Sequence, residues 1–110
     1  QGHASAQHNL GLKYENGYGV IQDYKEAVRW YRLAAEQGNA SAQYNLGSMY
    51  GNGQGVVQDF IYAHMWFNIA ASNGFDEGNR TLIEGYMTTS DISEAQRLAR
   101  ECVKKNYKGC

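Results

Sequence analysis

Apolar residues along the chain recur at helical spacing, and glycine-rich polar turns interrupt them at regular intervals. From about Ala4 to Glu15, Ala6, Leu10 and Tyr14 follow one another at i, i+4, i+8, with Gly11 on the same side. Asn16-Gly17-Tyr18-Gly19-Val20 breaks the stripe. Its glycines suit positive φ, and Val20 is expected to turn back into the core. A second stripe follows in Tyr24, Ala27, Val28, Tyr31 and Ala35, widened by Trp30 and Ala34. Asp23 stands before it as an N-cap with Glu26 three residues on, the pattern of a capping box, and Gly38 closes it as a C′ residue. The prediction is a pair of helices joined by a glycine turn.

The same pattern then starts again at Ala40. Residues 4–39 and 40–75 match at 19 of 36 positions without a gap, including Leu10/Leu46, Gly11/Gly47, Asp23/Asp59, Trp30/Trp66 and Gly38/Gly74. A period of this length means stacked supersecondary units, each too small to bury its own apolar face. Glycine inside a helix is costly, so its return at Gly11 and Gly47 points to close approach of the neighbouring helix. The second unit's second helix offers Phe60, Ala63, His64, Trp66, Phe67, Ala70 and Ala71 as its packing side, with Asp59 as cap.

Residues 76–110 keep only part of the pattern. Leu82 is in register with Leu10 and Leu46, and Tyr86 lies four residues past it, as Tyr14 and Tyr50 do past their leucines. The glycine turn is gone, and Thr88 leads into a last helix as N-cap with Asp91 reaching back from N3. Ile92, Ala95, Leu98, Ala99, Cys102 and Val103 form its stripe, with charged residues outside, as a solenoid's end requires. The fold expected is all-α: one α/α superhelix of antiparallel helix pairs, two full repeats plus a degenerate C-terminal capping unit. The chain opens in mid-pattern, with Gln1-Gly2-His3 matching Gln37-Gly38-Asn39, so it is expected to be a piece of something longer. Leu10 and Tyr14 then lack an upstream helix, and some self-association through that end is expected.

Composition narrows the function. A net charge of −1 argues against a nucleic-acid binder, although Arg97, Arg100, Lys104, Lys105 and Lys108 face only Glu101 near the C-terminus. No apolar run is long enough for membrane insertion, and no leader is recognisable. The glycine turns lack the third glycine and the preceding strand of a phosphate loop. His3, His8 and His64 are scattered, no Ser-x-x-Lys, Gly-x-Ser-x-Gly or His-Glu-x-x-His occurs, and no catalytic, metal or cofactor set is expected.

Ala-x-Ala-Gln-x-Asn-Leu-Gly, Gly-x-Gly-Val, the aspartate cap, Ala-x-x-Trp and the Ala-Ala-x-x-Gly ending together resemble the Sel-one-like repeat family, relatives of the tetratricopeptide repeats. The resemblance covers residues 1–75 closely, and Met87 to Ala99 resembles the terminal cap of bacterial members. It implies a non-enzymatic adaptor for protein complexes, often periplasmic or secreted. Alternatives carried with it are a β-lactamase-like or cell-wall enzyme and an immunity protein that neutralises a toxin. Some secreted relatives hold a disulfide inside each repeat, whereas both repeats here lack cysteine. Cys102 and Cys110 are expected to pair with each other, folding the tail back on the last helix, in preference to two free thiols. Such a bond implies a compartment outside the cytosol.

Comparing the two repeats separates constant from changing positions. His8/Tyr44, Leu12/Ser48 and Glu15/Gly51 change chemistry, and Ser5, His8, Leu12 and Glu15 fall on one side of the first helix, opposite Leu10 and Tyr14. Glu77, Arg80 and Glu84 match them in the third unit. By analogy with helical solenoids this side is concave, so His8, Leu12, Glu15, Tyr44, Ser48, Arg80 and Glu84 are expected to meet a protein or peptide partner, with Leu12 and Tyr44 as exposed anchors. Asn9 and Asn45, unchanged beside them, are expected to hydrogen-bond backbone in the neighbouring turn, the alternative being a ligand-gripping asparagine ladder as in other helical repeats.

Overall fold

Aspartate, asparagine and threonine caps start four of the helices, and glycine at positive φ ends most of them. The computed structural model describes residues 2–110, and the match of Gln1 to Gln37 lies outside the described residues. Six helices follow in order: α1 (Gly2–Asn16), α2 (Tyr24–Ala35), α3 (Ala40–Asn52), α4 (Phe60–Ser72), α5 (Asn79–Glu84) and α6 (Thr89–Lys104). Asp23 and Asp59 accept hydrogen bonds from the backbone N–H groups of Glu26 and Tyr62. Asn39 caps α3 in the same way. The Thr88–Asp91 capping box closes in both directions, at 3.0 and 3.1 Å. The box expected at Asp23 does not form, because the Glu26 carboxylate turns to Arg29 instead.

The helix ends repeat one device. Gly38 has φ 87°, its N–H donates to the Ala35 carbonyl, and the Asn39 N–H reaches back to Ala34. Gly74, Ala71, Phe75 and Ala70 repeat the arrangement at φ 98°. Both are Schellman ends with glycine at C′, as the spacing predicts. Gly17, Gly19, Gly53 and Gly55 all take positive φ, with Val56 packed on the core and Val20 half-buried.

Packing follows the repeat. α1 lies on α2 and α3 on α4, with α3 also set against α2, giving an α/α solenoid about 42 Å long. Gly11 and Gly47 admit aromatic rings onto helix backbone: a Cβ on Gly11 would stand 2.5 Å from the Tyr31 ring, and one on Gly47 2.8 Å from Phe67. Equivalent residues differ in burial because α3 has helices on two sides. Ala42 and Leu46 are fully buried, whereas Ala6 is exposed and Leu10 only half-buried.

The third unit departs from expectation. α5 has only six residues, and Ile83 stands where Gly11 and Gly47 allow close approach. Its bulk packs on the Tyr44, Phe67 and Phe75 cluster, so α5 presents Ile83 inward and turns the neighbouring Leu82 out. Leu82 is 69% exposed and Tyr86 75%, although Leu46, in register with Leu82, is fully buried.

α6 packs on α4 through Ala95, Ala99 and Cys102. A disulfide joins Cys102 to Cys110, with Cα atoms 5.8 Å apart. The closed loop sets the Tyr107 ring beside Gly38 and its hydroxyl 3.3 Å from the Asn73 amide. Asn73 donates to buried Gln43, which donates in turn to the Ala35 carbonyl. The tail therefore ties together the ends of α2 and α4. Among the described residues no strand occurs, and no helix is long and apolar enough to cross a membrane.

Candidate functional site

The residues on the first helices fall into two groups, those turned into the packing and those lining an open groove. The position held by His8 in the first repeat and Tyr44 in the second belongs to the first group. The His8 ring lies 5.8 Å from Tyr31, and Tyr44, at the same position, lies 5.0 Å from Phe67 and 5.1 Å from Phe75. Tyr44 is only 6% exposed and Leu12 packs against the core, which corrects the expectation that both stand free as anchors. The physical reason is that this face of the first helix lies against the second helix of its own unit.

Polar partners fix the others. Burial holds the His8 imidazole below its ordinary pKa, and Nε2 lies 2.8 Å from the Asn45 amide of the next repeat. Asn45 thus bonds a side chain across the repeat junction, not the turn backbone expected of it. Glu15 accepts from the Tyr31 hydroxyl at 2.5 Å, and burial together with that carboxylate pushes the Tyr31 phenol well above its usual range. Arg80 donates to Asn68 at 2.7 Å. Glu84 lies 2.7 Å from Nε2 of His64, whose Nδ1 meets the Asn68 amide at 3.0 Å. This part-buried chain of polar contacts holds the short α5 onto α4, and it occupies both nitrogens of the buried histidine.

Ser48 alone among the expected partner residues lines the open groove. The groove measures about 400 Å³ and runs between the end of α3, the start of α4 and α5. Its floor is Phe60, Phe67, Leu82, Ile83 and Tyr86, and the Phe60 and Tyr86 rings stack 5.3 Å apart. Ser48, Asn52 and Asn79 stand along its rim, and Gln58 is turned to the Gly51 carbonyl. None of the lining side chains is charged. The volume falls at the low end of the roughly 300–1,000 Å³ of ligand sites. Sequence reasoning missed Phe60 and Phe67 as site residues by reading them as packing, and took Leu82 and Tyr86 no further than their register. The signal present was the loss of glycine at position 83.

Among the described residues no cluster of histidine, cysteine, aspartate or glutamate has the arrangement of a metal site. The disulfide belongs to the chemistry of an oxidising compartment.

Comparison with known proteins agrees with this architecture. The Sel1 repeat model matches residues 4–39 and 40–75. A protective antigen of uropathogenic Escherichia coli strains, displaying an SLR fold, superposes with a TM-score of 0.87 at 33% identity. The match covers 94% of this chain and 24% of the antigen. A Sel1 repeat protein from Oxalobacter formigenes gives 0.64 at 45% identity, over 64% of this chain and 54% of that one. The chain thus spans about a quarter of the first and about half of the second. No match was found among curated proteins. With two tandem matches filling most of its length and the same helical stack in three dimensions, the chain belongs to the Sel1 repeat family.

Proposed function

We propose that the protein is a non-enzymatic adaptor holding a peptide or protein segment on the face formed by α1, α3 and α5. Sel1 repeats generally mediate protein–protein interaction. The single observation that carries the reading here is the pair Leu82 and Tyr86: two large apolar side chains left mostly in water on a short helix, beside an uncharged groove. Exposed aromatic and aliphatic anchors next to a pocket are the usual centre of a protein interface. In this reading Ser48 meets the partner directly. His8, Leu12, Glu15, Tyr44, Arg80 and Glu84 set the shape of the face through their internal contacts. The disulfide supports a periplasmic or secreted setting.

The test compares immobilised wild type with Leu82→Asp/Tyr86→Asp on the envelope fraction of the source cell, followed by binding of the purified captured protein. Both residues are exposed, so helicity by circular dichroism should be retained. A partner bound by the wild type and weakened about tenfold or more in the variant supports the reading. Equal binding to both moves the interface off this face.

A further inference from the structure

Two positions at the groove differ from their counterparts in the first repeat, where Glu15 and Tyr31 are joined by a hydrogen bond. The equivalent residues are Gly51 and Phe67, which offer neither a carboxylate nor a hydroxyl. Nothing in the packing requires glycine at 51. A Cβ there would meet only the Ala63 methyl, at an ordinary 3.7 Å, and Gly51 is not among the residues of positive φ. Gly47, one turn earlier, is the opposite case, since a Cβ there meets Phe67 and the Ala63 carbonyl. Gly51 costs α3 helix propensity, and it lines the groove, where any larger side chain would take up space.

The chemistry around that floor selects an occupant. Both charged side chains of α5 are engaged elsewhere, Arg80 by Asn68 and Glu84 by His64. A charged group entering the groove would lose its hydration and find no counter-charge. Ser48, Asn52 and Asn79 bring side-chain donors and acceptors to the groove, and Tyr86 adds a hydroxyl. A carboxamide offers both donor and acceptor, matching the alternating N–H and C=O of a polypeptide backbone. The apolar surface of Phe60, Phe67, Leu82, Ile83 and the Tyr86 ring outweighs the few polar groups beside it, which favours a peptide over a saccharide, whose ring hydroxyls would each need a partner.

We propose that this groove binds an uncharged stretch of a partner polypeptide. One apolar or aromatic side chain is seated on Phe60, Leu82 and Tyr86, and Asn52, Asn79 and Ser48 hold the backbone. The proposal rests on the adaptor reading and adds to it a location, a ligand class and Gly51 as the residue that sets specificity.

The experiment selects a random dodecapeptide phage library on the disulfide-bonded wild-type chain. Selected peptides are then synthesised and measured against Gly51→Leu and against Gly51→Glu/Phe67→Tyr. The second variant installs the side-chain pair that the first repeat already accommodates, so it guards against misfolding in the first. The expected result is enrichment of neutral peptides bearing a large apolar residue, with affinity falling about tenfold or more in both variants. Peptides that bind wild type and both variants equally overturn the groove assignment while leaving the adaptor reading standing, as do peptides whose affinity depends on their acidic or basic residues. A library yielding no binder, run beside a neutral glycan array that binds only the wild type, reassigns the groove to saccharide. A library and an array both without a binder refute the adaptor's peptide site altogether.

Discussion

Gly47 and Gly51 lie one turn apart on α3, and the same substitution is expected to move stability in opposite directions at the two sites. Alanine in place of glycine inside a helix gains about 1 kcal/mol from propensity alone. At Gly51 nothing opposes that gain, because the new methyl reaches only Ala63 at van der Waals distance. At Gly47 the methyl falls 2.8 Å from the Phe67 ring and 3.1 Å from the Ala63 carbonyl oxygen. Neither can yield cheaply. Phe67 is 3% exposed with the tilted Tyr44 ring packed beside it, and the carbonyl belongs to the backbone of α4. Overpacking of this kind costs about 1–3 kcal/mol, so Gly47→Ala should lose up to about 2 kcal/mol net. Gly51→Ala should gain up to about 1 kcal/mol. Urea unfolding followed by circular dichroism separates the two, with midpoints expected to differ by on the order of 1 M. A Gly47→Ala protein as stable as Gly51→Ala would refute the close helix–ring contact on which the repeat packing rests.

Three further outcomes follow from the same contacts. Glu15→Gln and Tyr31→Phe, combined in a double-mutant cycle, should show a coupling of about 1–2 kcal/mol in urea unfolding, since the hydrogen bond involves a carboxylate. Additive effects would mean that the bond contributes nothing. Burial lowers the His8 pKa in the folded state, so the unfolded chain takes up protons more readily below about pH 6.5. The contribution present above that pH is lost as pH falls through the window beneath it. Unfolding curves at pH 7 and pH 5 should show a steeper loss for wild type than for His8→Gln, and equal slopes would contradict the burial. Opening the Cys102–Cys110 bond by Cys110→Ser should cost about 2–3 kcal/mol and free Tyr107 from Asn73. An unchanged unfolding midpoint would show that the tail holds its place without the bond.

Helix limits, caps and turns were legible in the sequence because they are local. Asp23, Asp59 and Thr88 act on backbone groups two or three residues away, and Gly38 and Gly74 answer to their own φ. The Cys102–Cys110 bond was legible for a similar reason, since only nine residues span it. The facing of positions was harder to read. Ala6 and Ala42 are the same residue in the same register, yet one is exposed and the other buried, because burial depends on which helices lie alongside. Likewise the change from His8 to Tyr44 reads as free variation in a pairwise comparison. In space it is one half of an aromatic contact whose other half also changes, Tyr31 to Phe67. The groove depended on Ile83 turning α5, a consequence of bulk at a glycine position that register alone does not reveal.

The central claim is that the face beside α3 and α5 receives a partner segment. Its most direct test is a backbone-amide chemical-shift map of the isotope-labelled protein titrated with the peptide that binds it most tightly. The account predicts that perturbations centre on Ser48, Asn52, Asn79, Leu82 and Tyr86 and leave α2 and the outer side of α6 unchanged. Perturbations centred on Arg100, Lys104 and the cationic C-terminal segment, with the groove silent, would contradict it.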